Sequence, residues 1–127
     1  MASDRPDPLE LAGTRFQVSV AEEALARDAD NIDVLRFLTH AYTVIGRIED
    51  SVQCDERLVE LLPRDARVRY NLACHLALLG NHEQALECLG TACELGFRDL
   101  KLLRDDDDLA VLRDDPRYRA IVARLGS

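Results

Sequence analysis

The chain has 127 residues and a net charge of −8, with 47% apolar and 31% charged residues. That length and balance describe one folded domain with its own core rather than a disordered chain. The acidic excess argues against a general nucleic-acid binder and against adhesion to anionic membranes.

No Trp, three Phe and three Tyr make the core aliphatic, and six Gly with four Pro are too few for a hairpin-rich β-sandwich. An apolar run of about 18 residues, as a membrane span needs, is missing. The N-terminal region carries acids and lacks an apolar stretch of the secretory type, so a cytoplasmic location is expected.

In chain order, residues 1–7 are polar and are expected to fray. Residues 16–28 read as a lone amphipathic helix with Phe16, Val20, Ala24 and Leu25 on its packed face. Val34, Leu38, Ala41, Tyr42 and Ile45 then fall on one helical stripe, and Gly46 breaks it. Val52, Leu58 and Leu61 mark the next helix, which Pro63 closes. The pattern recurs with Val68, Leu72, Leu76 and Leu79, a break at Gly80-Asn81, then Ala85, Leu86, Leu89, Ala92 and Cys93. In the tail, Asp105 or Asp106 is placed to cap a short helix containing Leu109 and Leu112. Asp114-Asp115-Pro116 starts the last helix in the same way.

The recurrence has a fixed period. A shift of 34 residues lays 32–65 on 66–99 without a gap, and nine positions are then identical. These are Val34/Val68, Leu38/Leu72, Gly46/Gly80, Glu49/Glu83, Cys54/Cys88, Glu60/Glu94, Leu61/Leu95, Arg64/Arg98 and Asp65/Asp99. A single helical pair cannot bury its apolar face alone, so such units stack.

These segments resemble tetratricopeptide repeats. Tyr70-Asn71-Leu72-Ala73 through Leu79-Gly80-Asn81 to Ala85 and Ala92 carries the likeness in the second repeat, and Leu38, Tyr42, Gly46 and Pro63 carry it in the first. Thr39 and Ser51 depart where small apolar residues are usual, and Phe97 departs where Pro would close the unit. Leu95-Gly96-Phe97-Arg98-Asp99 with Leu112-Arg113-Asp114-Asp115-Pro116-Arg117-Tyr118 resembles a terminal module of bacterial proteins with these repeats. The resemblance implies an all-α fold, a right-handed superhelical array of helix-turn-helix repeats in one domain over 1–127. Residues 15–31 would be an N-terminal half-repeat cap, 32–65 the first repeat, 66–98 the second, and 99–126 the C-terminal capping helices.

The resemblance also implies a function. In this family the first helix of each repeat lines a concave groove that binds peptides. By register the groove would present Asp33, Arg36, His40 and Thr43 from the first repeat and Arg67, Tyr70, Asn71 and Cys74 from the second. Lys101 and Arg104 would follow from the tail. Apart from Asp33 the set has no acid, so a locally basic groove would suit an acidic protein segment. Some members clamp a peptide's terminal carboxylate; Arg36, Asn71 and Lys101 match three of those positions, whereas His40 and Asp105 depart.

The residues offer no start for catalysis. A Gly-rich phosphate loop, a nucleophile elbow and a paired metal-binding His are all missing from the sequence. Cys88 and Cys93 diverge by about 140° on one helix, and Cys54, Cys74, Cys88 and Cys93 form no ligand set with zinc spacing. The run Asp105–Asp108 lacks the alternation and the glycine of a calcium loop. Arg69 stands where the first repeat has Leu35, and is expected either to pack its stem and extend its head to water or to meet an acid from the preceding repeat. The expectation is a non-enzymatic adaptor or scaffold without cofactor or metal, monomeric or homodimeric, that binds a protein or peptide. The competing readings are a self-associating structural subunit, a secretion-type chaperone, and a cysteine-based redox or metal sensor.

Overall fold

A computed structural model describes residues 7–126. Every regular element among the described residues is helical. No helix there is long and apolar enough to cross a membrane. The chain divides into two compact units, the first ending at Leu61 and the second beginning at Leu62.

The first unit holds α1 (Pro8–Arg27), α2 (Ile32–Val44) and α3 (Ile48–Leu61). Asp7 starts α1: its carboxylate accepts from the Leu9 amide at 2.7 Å, and Pro8 takes the first position, where no amide donor is needed. The helix therefore begins well before the expected residue 16. It packs on α2. Its buried residues are Val18 and Ala21, while Ala24 and Leu25 are half-buried. Phe16 and Val20, expected to pack, are exposed instead. The reason is that α1 carries two apolar stripes, and the stripe through Val18, Ala21 and Leu25 takes the contact with α2.

In α2, Asn31 caps the start by accepting from the Val34 amide at 3.1 Å. Leu35, Leu38, Ala41 and Tyr42 are buried on it, as are Val52, Cys54 and Leu58 on the contacting α3. Gly46 turns the chain with φ 83°, the left-handed region that an L side chain resists.

Set into this core is a polar cluster. Asp55 is only 1% exposed, and Thr39 Oγ1 donates to its Oδ1 at 2.5 Å. Ser51 Oγ donates to the Thr39 carbonyl at 2.9 Å and lies 3.0 Å from Thr43 Oγ1. The two departures of the first repeat, Thr39 and Ser51, thus satisfy each other.

The second unit holds α4 (Ala66–Leu78), α5 (His82–Glu94), α6 (Leu100–Asp105), a 3-10 helix (Asp107–Leu112) and α7 (Pro116–Gly126). Val68, Leu72, Ala73, Leu76 and Ala77 of α4 are buried, as are Ala85, Leu86, Leu89 and Ala92 of the contacting α5. The 3-10 helix buries Leu109 and Leu112 and contacts α4, while α7 contacts α5 and α6. Asp106 caps the 3-10 helix through the Asp108 amide at 3.0 Å, and Asp115 caps α7 through the Arg117 amide at 2.9 Å. Arg69 is half-buried, and its Nε has no hydrogen-bond partner among the described residues.

The period seen in the sequence returns as structure. α2 and α4 start and stop at a 34-residue offset. The caps Asn31, Asp65 and Asp99 recur at the same offset. Past Gly46 and Gly80 the same closing bonds form, Arg47 N to Tyr42 O at 2.7 Å and Asn81 N to Leu76 O at 2.9 Å. α6 opens where a third repeat would, and Asp106 ends it after six residues.

Candidate functional site

Each unit gathers unusual side chains in one place. In the first it is an open apolar face. Leu9, Phe16 and Val20 on α1 are 82%, 70% and 52% exposed, and Phe37 and Val44 on α2 of the same unit are exposed too. These are five of the seven large apolar side chains left exposed among the described residues; the other two, Leu78 and Val111, are on α4 and the 3-10 helix of the second unit. Phe16, Val20, Ala21, Ala24, Val34 and Phe37, together with the polar Gln17 and Asp33, line a cleft of about 470 Å³. The cleft is open, and its lining is almost wholly apolar.

The helical period explains the face. Leu9, Phe16 and Val20 are spaced seven and four apart and share one stripe of α1. Asp33, Phe37, His40 and Val44 share one stripe of α2. The inner stripes are taken by the α1–α2 and α2–α3 contacts.

In the second unit the unusual place is closed. Tyr70 is buried, stacks on Phe97 with centroids 4.3 Å apart at 10°, and donates its hydroxyl to Asp106 Oδ2 at 2.5 Å. Cys74 is buried, with Sγ donating to the same oxygen at 3.8 Å. Arg113 donates to the Asp106 carbonyl. Burial, then the Asp106 carboxylate, pushes the Tyr70 phenol far above its ordinary value. Burial pushes the Cys74 thiol up to about 12; the Tyr70 hydrogen bond opposes this, and the charges of Asp106 and Asp108 add to it. Asp108 is raised as well, first by burial and then by Asp106.

Cys74, Asp106 and Asp108 can each offer one ligand atom, all within 4.8 Å of one another. A metal would have to displace the bonds from Tyr70 and Cys74 to Asp106 and deprotonate a thiol held as such. As it stands, the arrangement ties α4 to the 3-10 helix.

The expected groove residues divide accordingly. Arg36, His40, Arg67 and Lys101 are exposed, as is Arg104. The Arg67 guanidinium lies over the Tyr70 ring, 5.7 Å from its centroid. Asn71 is half-buried. Tyr70 and Cys74, expected to face a ligand, are buried instead, and Thr43 is half-buried. Thr43 donates to the Thr39 carbonyl at 3.0 Å, and the other two engage Asp106. Phe97, the departure that closes the second repeat, is the stacking partner that fixes Tyr70.

Burial pushes the Cys54 thiol up to about 11 and raises that of the half-buried Cys93, which makes both weaker nucleophiles at neutral pH. Sequence reasoning did not single out Phe37 and Val44. Their spacing with Asp33 and His40 on α2 was the available signal.

No protein-family model matches the chain, and no curated protein matches it.

Proposed function

We propose that the chain is a non-enzymatic protein–protein interaction module of the tetratricopeptide type, acting through the apolar face of α1 and α2. The observation that carries this is the concentration of exposed large apolar side chains on that one face. The 34-residue recurrence of caps and helix ends supports the repeat type.

The cleft lies in the seam between two helices, a shape that takes an amphipathic helix by its apolar stripe. Arg36 and His40 on α2 suit a helix that carries acids beside that stripe. Because the face is built on packed helices, binding orders little of the module itself.

The test is a benzophenone photo-crosslinker placed at Phe16, with Glu56 on α3 as the control position. Protein adducts at Phe16, absent at Glu56 and lost on Phe37→Glu, are the expected result. Equal adducts at both positions, or none at either, would overturn the reading.

A further inference from the structure

Resting on that reading, we propose that the occupant of the face is α1 of a second copy, so that the chain forms a two-fold homodimer through antiparallel α1 helices.

The outward stripe of α1 is Leu9, Gly13, Phe16, Val20, Glu23 and Arg27. An antiparallel partner centred at the level of Val18 sets Phe16 against the partner's Val20, and Gly13, which has no side chain to intrude, against the partner's Glu23. The cleft beside Phe37 then receives the partner's aromatic ring. A two-fold interface needs such self-complementarity.

Charge fixes the direction. Glu10, Arg15, Glu23 and Arg27 enter no ion pair among the described residues. In the antiparallel register Glu10 comes within a turn of the partner's Arg27, and Arg15 within a turn of the partner's Glu23. Symmetry doubles each pair. A parallel arrangement would set each charge against its own copy, which is repulsive.

Size also fits. With α1 about 30 Å long, α2 of 13 residues about 20 Å long and each helix about 10 Å across, the face offers roughly 500 Å² per copy, which reaches the ~1,000 Å² in total that a biological interface needs.

The test is sedimentation equilibrium of the full chain from about 1 to 500 μM, a range that resolves micromolar dimers. Wild type is expected at twice the 14.3 kDa chain mass. Phe16→Glu is expected as a monomer with unchanged helical circular dichroism, because Phe16 lies outside the core. Arg15→Glu should weaken the dimer about tenfold, and Arg15→Glu with Glu23→Arg should restore it. A monomeric wild type overturns the dimer, as does a dimer indifferent to Phe16→Glu. Monomeric wild type with Phe16 crosslinks to a different protein leaves the interaction reading standing; monomeric wild type without crosslinks removes both.

Discussion

Thr39, Thr43, Ser51 and Asp55 of the first unit stand 34 positions before Ala73, Ala77, Ala85 and Leu89 of the second. The second set is buried throughout and entirely apolar. In the first set, Thr39, Ser51 and Asp55 are buried, and their polar atoms bond to one another. The same helical frame thus tolerates either filling. A polar core is stable when its groups satisfy each other, and an apolar one when it stays dry. The outsides differ in the opposite sense. In the second unit the 3-10 helix contacts α4 and α7 contacts α5. In the first unit α1 leaves a row of large apolar groups exposed. The unit with the more polar core exposes more of the large apolar side chains, and that exposed face is where we place its function.

The contrast can be broken by exchange. Leu89→Asp imports the polar residue without its partners and should cost about 4 kcal/mol or more, enough to unfold the second unit. Urea unfolding followed by circular dichroism would read this; a loss below about 1 kcal/mol would show that the site is wet. Asp55→Ala removes the carboxylate from its own cluster and should cost about 1–3 kcal/mol by the same measurement. A neutral result would mean that Thr39 does not depend on it. Gly80→Ala meets no atom within 4 Å of an added Cβ, so only the backbone at φ 85° opposes it. A loss of about 1 kcal/mol is expected, and an unchanged melting temperature would refute the left-handed assignment.

Last comes pH. Cys54 and Cys74 are raised in the folded chain to about 11 and about 12, above a normal thiol. Their contribution is complete below the unfolded thiol value and is lost as pH rises through the folded ones. Melting temperature should therefore fall above about pH 9, and less steeply in Cys74→Ala. A fall that is the same with and without Cys74 would exclude its thiol as a cause.

Much of the frame was legible because identical residues recur at one offset. The caps Asn31, Asp65 and Asp99 and the turning glycines Gly46 and Gly80 are local signals, and local chemistry carries them out. What was illegible depends on neighbours. In α2 the run Val34-Leu35-Arg36-Phe37-Leu38 is apolar on two sides, and period alone does not say which side a second helix covers. The same holds for Phe16 and Val20 against Val18 and Ala21. Tyr70 and Cys74 occupy the positions of the expected groove, yet Asp106, which lies outside the 34-residue frame, draws them inward. Asp55 reads as one more surface acid until Thr39 is seen opposite it.

The equivalence of the two helical pairs is tested most directly by grafting one filling onto the other frame. Thr39→Ala, Thr43→Ala, Ser51→Ala and Asp55→Leu together convert the first core to the second, and the measurement is the free energy of urea unfolding. Because a whole polar network is replaced by apolar groups rather than broken, stability within about 1 kcal/mol of wild type, or above it, is predicted. A loss of more than about 3 kcal/mol, at unchanged protein concentration, would contradict the equivalence of the two pairs.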